Sequence, residues 1–329
     1  MKTRSIFLIV LSSILISCTS KNNEPVKYRG FTQGTTFSIK FYATKDSLKL
    51  INGIDSILYQ INKTASTYDS TSIISKVNRN EDVELNYDFI KIFTRSIEVS
   101  RETNGRFDIT VGELVERWGF GFKTTNFPDD KEVKNLLKNV GYKKVSIQNH
   151  KIIKEYPSIQ IDFNAIAQGY TVDLVAEYLM NKGCSNFIVE IGGEVRANGV
   201  KENNQPWIVG IEKPALNDSA TQVIQEKVIL KNKSISTSGN YRKFFLKDGI
   251  KYSHTIDPAT GYPVHHSLLS VSIIANDCTT ADAYCTAFMV MGMDKAKEFI
   301  KTHPDIKAYF IYADSTNTNQ IYYTEGFFQ

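Results

Sequence analysis

Residues 276–292, NDCTTADAYCTAFMVMG, constrain the fold of this chain most, because a polar start leads into a long apolar body. The run ends at Gly292, and glycine favours helix ends. Four of the first residues favour the N-cap position of a helix: Asn276, Asp277, Thr279 and Thr280. We therefore predict a buried helix, on which Asp282 and Thr286 share one face near the positive N-terminal end because they are four residues apart.

Two interpretations of this helix remain open. A carboxylate and a hydroxyl side by side suit a hard cation such as Mg²⁺, and helix N-termini also favour phosphate groups. One helix end could therefore hold both a metal and a pyrophosphate. Alternatively, the helix is only a core element, in which Asp282 is a cap and Thr286 bonds back to its own backbone. The segment by itself favours the core element.

The N-terminus has the pattern of an export signal. Residues 1–17 carry Lys2 and Arg4 and then an apolar run that is short for a membrane span. The sequence Leu-Ile-Ser-Cys at 15–18 resembles the lipobox of bacterial lipoproteins. We predict a signal peptide at 1–17, a lipidated tether at 18–27 that starts at Cys18, and a catalytic domain at 28–329. The protein would then be anchored by lipid to a membrane of the bacterial cell envelope and face the periplasm. An ordinary cleaved signal peptide and a retained span are the alternatives.

Composition excludes several classes of protein. The chain is 42% hydrophobic and 12% aromatic, which is ample for a packed core. The net charge is only +4, and the basic residues are spread along the chain without a basic run. We therefore expect no binding to nucleic acid. Beyond Cys18 the cysteines are Cys184, Cys278 and Cys285, an odd set without zinc-site spacing.

Helical and strand patterns are mixed along the chain without strict βαβ order, which predicts an α+β (mixed α/β) fold. Residues 31–42 have the pattern of one strand with a bend at Gly34, and a hairpin is expected around 248–249. The predicted helices are 46–62, 87–104, 128–140, 166–182, 276–292 and 294–302. The further predicted strands are 145–148, 152–154, 159–162, 186–191, 194–199, 207–212, 223–230, 234–238, 269–275, 308–313 and 321–324.

Several short motifs could carry chemistry, although each also has an ordinary structural interpretation. In residues 161–170, IDFNAIAQGY, Asp162 or Asn164 is either an N-cap or part of a site. The double glycine at 192–193 could present N–H groups to phosphate, but a plain turn is favoured. Residues 236–242, STSGNYR, form either a phosphate-facing loop or a polar hairpin entry. His254 is more often structural than catalytic in such a setting, and Tyr68 could stack on an aromatic ring or pack in the core.

Taken in order, these motifs closely resemble the FAD:protein FMN transferase, or ApbE, family from about residue 28 to the C-terminus. The combination of VEIGGEVRANG, YSHTIDPATG and the A-D-A-x-x-T helix start is specific. The matching segments are 32–35, 66–69, 105–110, 162–170, 189–199, 236–242, 252–263 and 281–292.

The resemblance implies an ApbE-like fold of two interleaved subdomains, with FAD and Mg²⁺ in the cleft between them. It implies transfer of the FMN half of the substrate FAD to a Thr or Ser hydroxyl of an acceptor protein, with release of AMP. Acceptors would be flavoprotein subunits of membrane redox complexes that carry a D-x-x-[ST]-G-[AS]-T motif. By the same resemblance Asp282, Thr286 and the carbonyl of Ala165 bind the metal, and His254 and Asp282 are catalytic. The implied FAD contacts are Gln33, Tyr68, Arg106, Phe107, Asp108, Asp162, Gln168 and Ile256.

The chain departs from the family pattern at three positions. Gln33 stands where many members have Met, Gln168 replaces a frequent Lys or Glu, and Cys285 replaces an Asp that some members have. Two other functions are therefore kept as alternatives. One is a Mg²⁺-dependent FAD pyrophosphatase that gives FMN and AMP, and the other is a flavin-binding lipoprotein without turnover.

Overall fold

The computed structural model describes residues 24–43, 46–121, 127–214, 223–240, 244–247, 250–316 and 318–328. In this part of the chain, an eight-stranded sheet has the order β1-β2-β5-β6-β9-β12-β13-β14, and every neighbouring pair is antiparallel. The predicted α+β class is confirmed. A long, mostly helical segment separates β2 from β5 in the sequence, yet these two strands are neighbours in the sheet.

The helices and strands of the described residues have the following bounds. The helices are α1 Ser47–Ala65, α2 Ile73–Asn78, α3 Tyr87–Glu102, α4 Gly112–Arg117, α5 Asp130–Leu136, α6 Ala167–Asn181, α7 Cys278–Met291 and α8 Met293–Lys301. The strands are β1 Val26–Thr32, β2 Thr35–Phe41, β3 Val145–Gln148, β4 Lys151–Lys154, β5 Phe187–Ile191, β6 Glu194–Asn198, β7 Trp207–Glu212, β8 Ile224–Leu230, β9 Lys233–Gly239, β10 Phe244–Lys247, β11 Ile250–Ser253, β12 Leu268–Ala275, β13 Lys307–Ala313 and β14 Asn319–Tyr323.

The sheet has helices on one face and a β-hairpin on part of the other. Alternate side chains of β2 and β5 pack against α1 and α6, and α7 packs against β9 and β12. The hairpin β7–β8 covers the opposite face from β6 to β13, with Val228 and Leu230 buried against it. None of the helices in the described part of the chain combines the length and apolar character that crossing a membrane requires.

Residues 31–42 form two strands, so the prediction of one bent strand is wrong. Gln33 and Gly34 both have positive φ, +49° and +73°, and together they reverse the chain in a two-residue turn. Thr32 then pairs with Thr35 across the hairpin. The glycine was noticed in the sequence, but the left-handed conformation of Gln33 before it has no sequence signal comparable to Asn-Gly.

The strand predicted at 159–162 is also wrong, for a visible reason. The side chain of Asn78 hydrogen-bonds to both backbone groups of Ile161, with its Nδ2 2.8 Å from the carbonyl oxygen and its Oδ1 2.8 Å from the amide nitrogen. Asp162 N–H donates to the carbonyl of Ile109 at 2.8 Å. A side chain therefore takes the place of a neighbouring strand, and alternation in the sequence cannot distinguish the two cases.

The other predicted elements lie close to their expected positions. α1, α3, α6, α7 and α8 are present, whereas the predicted helix 128–140 is divided into α5 and a 3₁₀ turn at Leu137–Asn139. The hairpin β10–β11 is shifted by a few residues from its prediction, and its predicted turn at 248–249 lies outside the described residues.

Candidate active site

Two carboxylates cap the N-terminus of helix α7, and one of them comes from another helix. Asp277 is the N-cap, and its Oδ1 accepts from Thr280 N–H at 2.7 Å. Asp173, from the middle of α6, accepts from the N–H groups of Cys278 at 2.9 Å and Thr279 at 2.8 Å. Arg196 pairs with the same Asp173 at 2.6 Å. The free N–H groups of the helix start are therefore already bonded.

This capping argues against the interpretation in which a pyrophosphate lies at the N-terminus of α7. The N–H groups that would bind it donate to aspartates, and two negative side chains stand in its place. The N-cap itself was among the four predicted candidates, but Asp173 was missed. Its signal was an acid within the apolar sequence TVDLVA of a predicted helix, which required a buried partner.

Asp282 is buried, with 5% of its surface exposed, one turn into α7. Its Oδ2 accepts a hydrogen bond from the backbone N–H of Gly169 at 3.0 Å. Burial, and to a smaller extent the charge of Asp173, raise its pKa to about 7. A bound cation would favour the charged carboxylate that burial disfavours.

The carbonyl of Ala165, just before α6, has no hydrogen-bond partner among the described residues. Gly169 is in the first turn of α6, whose N-cap position is Ile166, so its N–H has no acceptor within the helix. It donates to Asp282 instead, and the first regular bond of the helix joins Tyr170 N–H to Ile166 O at 3.0 Å. Ala165 O is thus an unpartnered oxygen four positions before the glycine that bonds to the buried carboxylate.

The neighbouring residues complete an oxygen-rich environment. Thr286 lies one turn after Asp282, half-buried, and its hydroxyl forms no hydrogen bond to another described residue. The alternative in which Thr286 bonds back to its own helix is therefore not observed. Asp282, Thr286 and Ala165 supply the donor types that suit Mg²⁺: a carboxylate, a hydroxyl and a carbonyl. The described residues contain no group of three or more His, Cys, Asp or Glu placed to hold a metal.

Cys285, by contrast, is a core residue. Its thiol donates to Ser236 O at 3.2 Å, and burial raises its pKa. A neutral thiol engaged in this way contributes no charge to the oxygen-rich environment around Asp282.

Gln33 and Gln168 lie beside the start of α6. Gln33 Nε2 donates to Thr171 Oγ1 at 2.6 Å, which joins the β1–β2 turn to this helix. A Cβ at Gly192 would lie 2.9 Å from Gln168 Nε2 and equally close to Thr35 Cγ2. Gly192 N–H donates to Thr36 O and Gly193 N–H donates to Glu190 Oε1, both at 3.0 Å. The double glycine is therefore the plain turn that we favoured.

Tyr68 and Asp162 line a cavity of about 200 Å³, together with Asn164 of the loop before α6. Asp162 accepts from Asn164 N–H at 2.6 Å, and burial raises the pKa of its carboxyl. Neither Asp162 nor Asn164 caps α6, whose N-cap position is Ile166. Partial burial and the charge of Asp162 raise the pKa of Tyr68, although the residue as a whole is 61% exposed.

A third group surrounds residues 254–257. Arg106 Nη1 lies 3.1 Å from Asp257 Oδ1, and Ile256 is buried with Trp118 in a small apolar cluster. The ring of half-buried His254 meets the ring of Phe120 edge-on, with centroids 6.3 Å apart. Gly121, next to Phe120, also lines the cavity with Tyr68 and Asp162. Phe120 and Gly121 thus connect the residues around His254 with the cavity lined by Tyr68 and Asp162.

Phe107 and Asp108 lie inside the protein. Phe107 is 2% exposed within the main core cluster. Asp108 accepts from Thr110 N–H at 2.8 Å and from Tyr142 N–H at 2.7 Å, and burial raises its pKa. Both residues are almost fully buried, so their burial does not favour direct contact with a ligand.

The comparisons with known proteins agree with this fold. A flavin transferase of Vibrio cholerae has a similar structure, with a TM-score of 0.83 and 33% identity over 92% of this chain and 98% of that one. The apo form of the Pseudomonas stutzeri flavinyl transferase also gives 0.83, with 30% identity over 93% and 97% of the two chains. The fold is therefore that of the flavin transferases.

Sequence comparison identifies the family. The ApbE family model matches residues 33–310. The FAD:protein FMN transferase of Vibrio cholerae serotype O1 is 36% identical over 298 residues, 88% of each chain, and that of Haemophilus influenzae is 33% identical over 305 residues, again 88% of each. The chain belongs to the ApbE family.

Proposed function

We propose that this protein transfers the FMN half of FAD to a Thr or Ser hydroxyl of an acceptor protein and releases AMP. The observation that carries the proposal is the carboxylate–hydroxyl–carbonyl set around Gly169, in a chain whose relatives are named FAD:protein FMN transferases. In the reaction, the acceptor oxygen forms a bond to the phosphorus of the FMN phosphate. The phosphoanhydride bond to AMP breaks, AMP leaves with the bonding electron pair, and the hydroxyl proton passes to a base.

FAD is long enough to need more than one part of the site. In the proposal Tyr68 offers its exposed ring to an aromatic part of FAD, and the cavity that it lines with Asp162 receives the adjoining atoms. Gln33 and Gln168 present amide groups beside the α6 start. Arg106, paired with Asp257, would contact a further part of FAD, and Ile256 would supply an apolar wall there.

Asp282, Thr286 and Ala165 O would hold Mg²⁺. When bound, the ion neutralises charge on the pyrophosphate and so makes its phosphorus easier to attack. The protein's part is to keep these oxygens in place: Gly169 N–H fixes the orientation of the Asp282 carboxylate, and the rigid start of α7 fixes its position. His254 or a nearby carboxylate is the proposed proton acceptor.

The test combines the purified chain, FAD, MgCl₂ and an acidic acceptor domain that carries the D-x-x-[ST]-G-[AS]-T sequence. The proposal predicts flavin fluorescence that stays with the acceptor through a denaturing gel and is absent with EDTA. An acceptor with Ala at the modified position is the matched control. Free FMN and AMP without labelled acceptor would instead show a pyrophosphatase, and bound but intact FAD would show a flavin-binding protein.

We also propose that residues 1–17 are removed and that Cys18 carries the lipid, which places the enzyme on a membrane of the bacterial cell envelope, facing the periplasm. Cys18 lies outside the described residues, and the support is its sequence context. The wild-type protein should incorporate labelled palmitate and sediment with membranes, whereas Cys18→Ala should do neither. Membrane attachment that survives this substitution would point to a retained span.

A further inference from the structure

Among the described residues, no helix or hairpin covers one face of strands β1 and β2. Alternate residues of β2 and β5, such as Phe37, Ile39 and Val189, point into the helices. The residues between them point to the other side, where the cluster under the β7–β8 hairpin begins at Ile188 of β5 and at Tyr42, just after β2. We call this surface the open sheet face, and it consists of Lys27, Arg29, Phe31, Thr36, Ser38, Lys40 and Glu190.

The open sheet face is positively charged. Lys27 and Lys40 are directly opposite each other across β1 and β2, and Arg29 is opposite Ser38. None of these three cations forms an ion pair with an acid in the described part of the chain. Glu190 is a carboxylate on this face, and it accepts from Gly193 N–H at 3.0 Å. Like charges directly opposed across two strands destabilise a sheet, so a negatively charged surface laid on this face would relieve a cost already present.

An exposed aromatic side chain lies at the end of this face that is nearest the candidate active site. Phe31 is 72% exposed, and it is opposite Thr36 in the β1–β2 pair. The carbonyl of Thr36 accepts from Gly192 N–H, and Gly192 lies against Gln168. Two residues after Phe31, Gln33 bonds to α6. The aromatic ring is thus next to the place where FAD and Mg²⁺ are proposed to bind.

We propose that the open sheet face is the docking surface for the acceptor protein, which binds through an acidic patch. Phe31 would enter an apolar depression of the acceptor close to its Thr or Ser, and the cations would pair with acids further away. Exposed aromatic residues provide most of the binding energy in many interfaces, while surrounding charges govern partner choice and association rate. The observations favour a protein over a membrane surface, because Phe31 is flanked by Thr36 and Ser38 and not by further apolar side chains.

The inference rests on the proposed function, and its test separates the two. Transfer is measured with the full chain, Mg²⁺ and FAD, using either the acidic acceptor domain or a short peptide with the same D-x-x-[ST]-G-[AS]-T sequence. If the wild-type protein labels neither, the proposed function fails. If it labels the domain, Phe31→Ser should lower kcat/KM for the domain about tenfold or more, with no change for the peptide. Arg29→Glu should lower it several-fold at low salt, with a smaller effect at high salt.

Matched controls use equally exposed residues elsewhere. Tyr87, at the start of α3, is 69% exposed. Tyr87→Ser should therefore leave kcat/KM unchanged for both the domain and the peptide. Lys295 on α8 is exposed at the other end of the sheet, so Lys295→Glu controls for Arg29→Glu. As a direct readout, a photo-crosslinking benzoylphenylalanine at position 31 should capture the acceptor domain, and the same group at position 87 should not.

Three results would overturn the docking proposal. Unchanged kcat/KM for the domain in both variants would show that the face is not used. Equal losses with domain and peptide would assign Phe31 to the reaction itself. Loss of binding to vesicles of anionic phospholipid in Arg29→Glu, with normal transfer to the domain, would show that the face binds a membrane.

Discussion

The backbone N–H of Gly169 in α6 donates to Oδ2 of Asp282 in α7 at 3.0 Å, and this one bond defines the candidate metal site. It orients the buried carboxylate at the first turn of α6, and the carbonyl of Ala165, which precedes that helix, has no partner among the described residues. The close approach depends on glycine, because a Cβ at this position would lie 2.5 Å from Cys278 O and 2.8 Å from Asp282 Cβ.

Gly169→Ala should therefore force α6 and α7 apart. Overpacking against backbone atoms costs about 1–3 kcal/mol of unfolding free energy, which denaturant unfolding would measure. The Mg²⁺ concentration that gives half-maximal transfer should rise. Gly210→Ala is the control, because its nearest neighbour is the Ile224 side chain at 3.2 Å, which can move. Equal stability and Mg²⁺ dependence in Gly169→Ala and wild type would contradict the assigned close contact.

Asp282 should make the metal-free protein less stable as pH rises. Burial raises the pKa of its carboxyl from 3.8 to about 7, so the native state keeps a proton that the unfolded state releases near pH 4. The unfolding free energy must then fall between about pH 4 and 7, by at most ~4 kcal/mol from this group. Unfolding in EDTA across that range should show a smaller fall in Asp282→Asn than in wild type. Parallel curves for the two proteins would refute the raised pKa.

The Asp173–Arg196 pair should be a major structural contact. Removing one partner of a buried ion pair costs about 3–5 kcal/mol, and Asp173 also holds two N–H groups of α7. We expect Asp173→Asn to lower the free energy of unfolding by about 3 kcal/mol. The exposed Lys301–Glu298 pair is the comparison, and Glu298→Gln should cost less than about 1 kcal/mol. Equal losses of unfolding free energy in the two variants would show that Asp173 contributes little to the stability of α7.

His254 is one of the two proposed acceptors for the proton of the attacking hydroxyl, the other being a nearby carboxylate. If it does, His254→Gln should lower kcat for transfer by about a hundredfold and remove the rise of rate with pH, while the free energy of unfolding stays close to wild type. His150, exposed in the β3–β4 turn, is the control for His-to-Gln exchange. Wild-type transfer across the pH range in His254→Gln would assign the base to another group.

The sequence predicted what depends on neighbours along the chain. The apolar body of α7, its end at Gly292 and its N-cap among four candidates follow from local patterns, and so do α1, α3 and α6. It could not predict Asp173 as a second cap, because that contact joins residues 105 positions apart. The bonds from Asn78 to Ile161 and from Gly169 to Asp282 could not be predicted for the same reason, because they also join residues far apart in the sequence. Motifs pointed to the segments of the candidate site, whereas only the packing of α6 on α7 showed which of their polar atoms lack a partner among the described residues.

The most direct test of the account is covalent flavin transfer by Asp282→Asn, which keeps the shape of the side chain and removes its charge. At a Mg²⁺ concentration that saturates the wild type, transfer to the acceptor should fall at least a hundredfold, about 3 kcal/mol in transition-state stabilisation, while the variant stays folded. Undiminished, EDTA-sensitive labelling of the acceptor by Asp282→Asn would contradict the central claim that this carboxylate holds the metal.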